Sequence, residues 1–275
     1  MRYKLIAIDM DGTLLNSNNK VSDRTREVLL RAIDEDIYIV LSTGRILRSA
    51  LYFSKDIGLN YPIIACNGAL ISTSNGKDII YENPMNLESA KKIVELAEDN
   101  GIYYHFYDTN TFYAKETGYG DLEHYESYKN NLIKQQINLN IFQNSMEILN
   151  NKKPVIYKFV FIEDDIDKLL DFREKLKDIK GTNVSSSWHN NIEVMNEGVS
   201  KGTGLNYLID KLNIDKSEVV AIGDNENDIS MFKVAGLAVG MRNGDESIKN
   251  HVHVFTDTND EDGVAKAIEN YVLNK

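Results

Sequence analysis

The sequence predicts an α/β protein, a doubly wound parallel sheet with an α+β unit inserted into it. Three observations predict this. Apolar runs of strand length alternate with helical periodicity between residues 5 and 82. The same alternation resumes after residue 200. Between the two, amphipathic helices and strands joined by short polar turns take over.

In the first part, Leu5–Ile8, 37–41 and 63–66 are short and apolar throughout, as strands buried on both faces are. Residues Asp23–Asp34 place Val28, Leu29, Ala32 and Ile33 at helical spacing behind a capping Ser22. A second helix is expected over 45–57, stopped by Gly58. This βαβα order predicts parallel strands with helices on both faces.

The middle reads differently. Residues 87–100 carry Ala90, Ile93, Val94 and Ala97 on one helical face and end at Gly101. Strand-like runs follow at 102–107 and 111–114, joined by Asp108-Thr109-Asn110. A strand over 155–162, a helix over 166–179 and strands at 182–188 and 192–195 complete the insert. The Asn-rich stretch 130–151 is the expected weakest-ordered part. The insert is placed at 83–190, leaving 1–82 and 191–275 as the two halves of the core.

The closing part repeats the first. Ser200 caps an expected helix Lys201–Leu212, and 219–222 is a buried strand ending at Gly223-Asp224. A short helix over 228–234, strands over 237–240 and 251–255, and a helix over 262–273 follow.

A chain of 275 residues buries a sizeable core and has room for two domains. Its net charge of -11 disfavours nucleic acid and anionic membranes as partners. An anionic substrate therefore needs a local cation. The single cysteine, Cys66, excludes an internal disulfide and sits where a small core residue belongs. No apolar run reaches the ~18–20 residues of a membrane span. Asp9 and Asp11 interrupt the first apolar stretch, so a signal peptide is not expected and a cytoplasmic location is. Oligomeric state is not legible.

The chemistry concentrates at predicted strand ends, where open α/β sheets bind ligands. The first strand runs into Asp9-Met10-Asp11-Gly12-Thr13-Leu14-Leu15. Two carboxylates so close repel unless a cation lies between them, so the pair predicts a hard-metal site. Ser42-Thr43-Gly44-Arg45 follows the second strand, with a hydroxyl and a backbone amide opening a helix. Lys201 begins the helix after Ser200, and Gly223-Asp224-Asn225-Glu226-Asn227-Asp228 follows the strand 219–222. Singly, each has a plain structural explanation: a cap, a solvated lysine, acids at a helix N-terminus. Together, in this order and at these places, they point to one site.

This ordered set resembles the haloacid dehalogenase-like superfamily of phosphohydrolases, and in detail its Cof-type subfamily, with a large cap inserted between the second and third motifs. Asn67-Gly68-Ala69, Val199-Ser200-Lys201-Gly202 and Asn259-Asp260-Glu261-Asp262-Gly263-Val264 also match, and Gly244 replaces the Ala usual after Asn243. The resemblance covers nearly the whole chain. It implies a Rossmann-like core and Mg2+-dependent hydrolysis of small phosphate monoesters, such as sugar phosphates or phosphorylated cofactors.

On this resemblance Asp9 is the nucleophile that becomes an aspartyl-phosphate, and Asp11 is the acid and base. Mg2+ is held by Asp9, Asp224 and the carbonyl of Asp11. Thr43 and the amides of Met10 and Gly44 cradle the phosphoryl group, with Lys201 balancing its charge and Asn227 reaching it. Asp228 orients Lys201. Asn67, His105, Trp188 and His189 are candidates to face the leaving group, and Arg45 to form an ion pair within the core. The partner is a small phosphorylated metabolite. A phosphomutase of related fold and a non-catalytic phosphometabolite-binding regulator are the alternatives.

Overall fold

The computed structural model describes residues 3–115 and 130–274. Strands β1 (Leu5–Ile8), β2 (Tyr38–Leu41), β3 (Ile63–Ala65), β4 (Leu70–Ser72) and β5 (Ile79–Glu82) come first. Then follow β6 (Tyr103–Tyr107), β7 (Thr111–Lys115), β8 (Asn138–Phe142), β9 (Lys158–Ile162), β10 (Thr182–Ser185) and β11 (Asn191–Asn196). Finally β12 (Val219–Gly223), β13 (Leu237–Met241) and β14 (Val254–Thr256) return to the first sheet.

The first sheet has the order β14-β13-β12-β1-β2, with every pair parallel. An isolated parallel bridge from Ser42 to Ile64 continues it toward β3, which opens the antiparallel sheet β3-β4-β5. Successive strands step away from β1 on one side through β2, and on the other through β12, β13 and β14. The strand order therefore reverses at β1, and the crevice for ligands in such sheets lies beyond the C-terminal ends there. Leu5, Ile6, Ala7 and Ile8 are all fully buried because helices cover both faces. Ser22 caps the helix Asp23–Asp34 by accepting from the Thr25 amide at 3.0 Å. Gly58 ends the helix Leu47–Ile57 in the left-handed region at φ 93°.

The second sheet, β10-β11-β9-β6-β7-β8, is antiparallel except for β7 and β8. Its alternation separates two faces. Tyr104, Phe106, Phe159, Phe161, Ile192 and Val194 form an apolar cluster with residues of the helices Leu87–Asp99 and Ile166–Leu176. The other face carries His105, Tyr107, Lys158, Val160 and Glu193.

The Asn-rich stretch 130–151 holds β8, which adds in parallel beside β7, and helical turns over 145–152. One expectation is corrected. Strand β11 pairs with β9 and β10 and so belongs to the inserted sheet, although a boundary at 190 assigns it to the core. The chain returns to the core only at 197–200. The hairpin β4–β5 was also not expected from the sequence.

Candidate active site

The site is built from the ends of β1, β2 and β12 and the start of the helix Lys201–Leu212. Lys201 is 1 % exposed and lies 2.5 Å from Asp9 Oδ1 and 2.6 Å from Asp228 Oδ1. A capping box at Ser200 and Thr203 fixes the first turn that carries it. Burial works against the ammonium, but the charges of Asp228 and Asp9 outweigh it and raise the Lys201 pKa. Asp228 in turn receives the backbone amides of Asp224 and Asn225 on Oδ2 at 2.8 and 3.0 Å. Both of its oxygens are thereby engaged, one orienting Lys201 and the other shaping the loop.

Asp9, Asp224 and Asp228 present carboxylate oxygens within 4.8 Å of one another. Burial first, then repulsion from Asp228, pushes Asp224 up to about 7, while Thr13 donates to it at 2.7 Å and works the other way. Asp9 is likewise raised by burial, against the pull of Lys201. Asp9 and Asp224, buried oxygen donors that each disfavour their own ionisation, fit a hard divalent cation. Gly12 makes the approach possible: its φ is +77°, and a Cβ there would fall on the Asp224 carboxylate.

Asp11 stands apart from this cluster. Its half-exposed carboxylate faces Arg45, with Nε–Oδ2 at 2.7 Å and NH2–Oδ1 at 2.5 Å. Packing around Asp11 works against its charge, and the Arg45 guanidinium more than offsets this, holding the carboxyl below its usual range. Arg45 thus bonds the catalytic candidate itself.

Thr43 is buried, and its Oγ1 accepts from the Arg45 amide at 3.1 Å. Its carbonyl takes the Asn67 amide at 2.9 Å, and the Arg45 carbonyl takes that of Cys66 at 3.0 Å. These bonds hold Cys66, Asn67 and Gly68 at φ 49°, 56° and 92°, three successive residues in the left-handed region. Such backbone is costly outside glycine and is kept where surrounding contacts over-determine it. Burial pushes the Cys66 thiol up to about 12, so it is an inert core group.

Of the residues expected to face a leaving group, Asn67 is at the site, donating Nδ2 to Glu193 Oε2 at 2.6 Å. Asn227 is beside it, with Nδ2 3.3 Å from Asn67 Oδ1. His105 is buried on the core-facing side of the inserted sheet, 2.9 Å from the Tyr107 hydroxyl. Burial, then the nearby Lys158 charge, depresses it to about 3, so the imidazole is neutral. Trp188 is 57 % exposed and His189 is also exposed. Their hairpin touches the fourth motif through backbone instead: the Ser186 carbonyl accepts from the Asn227 amide and the Ser187 carbonyl from Asn225 Nδ2.

Sequence reasoning missed Lys158 and Glu193. They form an ion pair at 2.5 Å, each 3 % exposed, against the Gly44 backbone. The signal was present as one charge inside each of two apolar strands, Tyr157-Lys158-Phe159 and Ile192-Glu193-Val194.

A parallel sheet whose first strand ends in a buried aspartate bonded to a lysine, with acidic residues from a later strand end, defines a hydrolase of the haloacid dehalogenase type. The chain belongs to the haloacid dehalogenase-like hydrolase family, whose profile matches residues 6–268. It is similar to the 5-amino-6-(5-phospho-D-ribitylamino)uracil phosphatase YcsE of Bacillus subtilis, 33% identical across 98% of this chain and 96% of the relative. It is also similar to the pyridoxal phosphate phosphatase YbhA of Escherichia coli, 27% identical across 99% and 100%. A solved haloacid dehalogenase-like hydrolase from B. subtilis superposes with a TM-score of 0.87, at 29% identity over 98% of this chain and 100% of that one. The chain is therefore an enzyme, a hydrolase of this family.

Proposed function

We propose that this hydrolase is a Mg2+-dependent phosphatase of small phosphate monoesters in the cytoplasm. The observation that carries the reading is the buried chain Asp9–Lys201–Asp228 beside Asp224. Asp9 attacks phosphorus, the ester oxygen leaves with a proton from Asp11, and Asp11 then takes a proton from the water that cleaves the aspartyl-phosphate. The Asp11 carboxyl has to leave Arg45 to carry that proton. Lys201 balances the charge on the phosphoryl oxygens, and Thr43, Gly44, Met10 and Asn227 surround them. Asp9, Asp224 and the Asp11 carbonyl would hold Mg2+, which supplies Lewis-acid stabilisation when bound. Residues 83–196 act as a cap over this core. No helix among the described residues is long and apolar enough to cross a membrane, and the buried free thiol of Cys66 fits a reducing compartment.

The test is turnover of p-nitrophenyl phosphate with Mg2+ by the wild type and Asp9→Asn. The variant keeps the shape of the site and loses the attacking charge, so its rate should fall by at least ~10³-fold. Near-wild-type turnover in Asp9→Asn would overturn the mechanism.

A further inference from the structure

The dipeptide Asn243-Gly244, with glycine where the family usually has alanine, has no task in the site described above. It follows β13, the parallel neighbour of β12, so it leaves the sheet at the same end as Asp224. Asn243 is an exposed residue, yet both ends of its amide are engaged. Its Nδ2 donates to the Gly12 carbonyl at 2.8 Å, and its Oδ1 accepts from the Asn259 amide at 3.0 Å. Asn259 Nδ2 in turn donates to the Leu15 carbonyl at 2.8 Å. Two residues beyond Asn243, the Asp245 amide donates to the Asp224 carbonyl at 2.8 Å.

Gly12 and Asp224 are where the loops of the first and fourth motifs meet, since a Cβ on Gly12 would lie 2.4 Å from Asp224 Oδ2. The segment Asn243–Asp245 therefore grips the backbone of both partners in that contact. Asp228 already holds the Asp224 amide, so with Asp245 on the carbonyl the Asp224 backbone is fixed on both sides. Gly244 decides how closely the segment approaches. Its φ lies outside the left-handed region, so alanine would cost nothing in backbone conformation there. Space forbids it instead. A Cβ would lie 2.8 Å from the Asp224 carbonyl oxygen, 2.9 Å from the Met241 carbonyl oxygen and 2.8 Å from Ile248 Cδ1. The first two are backbone atoms that cannot turn aside, so alanine has to push the segment off Asp224.

We infer that Asn243 and Gly244 are positioning residues for the cation site: they set the separation of the Gly12 and Asp224 loops, and through it the fit of Asp9 and Asp224 to Mg2+. Mg2+ demands near-ideal octahedral geometry, so groups that hold its ligands in place control its affinity. The inference rests on the Mg2+-dependent phosphatase reading and goes beyond it by naming residues that are not themselves ligands.

The experiment measures two Mg2+ titrations: the rise in melting temperature of the substrate-free protein, and the activation of p-nitrophenyl phosphate turnover. Wild type is compared with Gly244→Ala and Asn243→Asp. Asn243→Asp keeps the shape and the acceptor for Asn259 but sets an oxygen against the Gly12 carbonyl. In both variants the half-saturating Mg2+ concentration should increase about tenfold or more in both titrations. KM at saturating Mg2+ should stay within about twofold, because no substrate contact is removed. Asp165→Ala, which removes a helix cap in the inserted unit, controls for lost stability and should leave half-saturation unchanged. If Gly244→Ala does not fold, Asn243→Asp alone decides. Half-saturation within about twofold of wild type in the variants makes the segment structural and overturns the inference. So does an equal increase in Asp165→Ala. Both results leave the phosphatase reading standing. A wild type with no turnover at any Mg2+ concentration, or with turnover independent of Mg2+, overturns that reading and the inference with it.

Discussion

Asp9 and Asp224 are held at close range by the fold against burial and mutual repulsion, so a metal taken up there would compete with protons. A carboxyl whose folded pKa is raised favours the folded state at low pH, and that stabilisation is lost as pH rises through the folded value. For Asp224 the value is about 7, against 3.8 for the ordinary group. The metal-free protein should therefore lose stability as pH rises from 4 through 7, and Mg2+ should restore it. Below 7 protons compete with the metal, so the stabilisation by a fixed Mg2+ concentration should be about 1 kcal/mol smaller at pH 6 than at pH 8. Melting curves with Mg2+ and with chelator at both pH values check this; an increment that does not change with pH would mean that these carboxylates do not take the metal. Arg45 sets the opposite bias on Asp11. Removing the guanidinium in Arg45→Met lets the Asp11 pKa rise, so the limb of the kcat profile that Asp11 controls should move to higher pH: the acid limb where its base role limits turnover, the basic limb where its acid role does. A limb that stays in place would show that another group controls it.

The segment Cys66–Gly68 shows how an element stores the conformation of a site. Three left-handed residues are pinned by the Thr43 and Arg45 carbonyls, and Gly68 packs so closely on the helix Lys201–Leu212 that a Cβ would strike the Ser200 carbonyl. Gly68→Ala combines a positive φ with this collision and should destabilise the protein by about 2 kcal/mol or more. Denaturant titration measures the loss, and a change under ~0.5 kcal/mol would show that the segment relaxes freely. Elements of the core were legible in the sequence because apolar runs of strand length and capped helical periods are strong local signals. The strands Leu5–Ile8 and Val219–Gly223 and the helix Lys201–Leu212 follow from them. Strand β8 was not legible, because Asn138-Leu139-Asn140-Ile141-Phe142 lies in a polar, Asn-rich context and is chosen by pairing with β7. The same limit hid Lys158 and Glu193. Each reads locally as a charge on a strand, and only the register β11–β9–β6 brings them to the core site. Trp188 and His189 attract notice as ring residues at a turn, yet the turn points their side chains to solvent and uses its backbone on Asn225 and Asn227.

At the scale of the molecule, cap and core meet through a few polar bridges around the buried Glu193–Asn67 contact. Arg173 from the cap helix pairs with Glu226 in the fourth motif, and Arg48 of the core donates to Asn110 of the cap at 2.7 Å. Both bridges lie toward the rim, and Arg173 is 24 % exposed as a side chain. Pairs of this kind contribute about 0–1 kcal/mol to folding, whereas a cap that hinged at residues 83–85 and 197–200 would feel them in full each time it closed. Arg48→Ala combined with Arg173→Ala should therefore leave the melting temperature within about 3 °C of the wild type. The same variant should open the cap more often. Amide exchange should rise at the buried contact surface, at Ser186 to Trp188 and around Asn67, while exchange within β1 and β12 stays slow. KM should rise severalfold because closure over the substrate becomes less favourable. High salt should reproduce the change in the wild type, since the Arg173–Glu226 pair is open to screening. If exchange at the cap–core surface is unaltered while turnover falls, the two bridges position substrate rather than control closure, and the cap would be held shut by Glu193 and Asn67 alone.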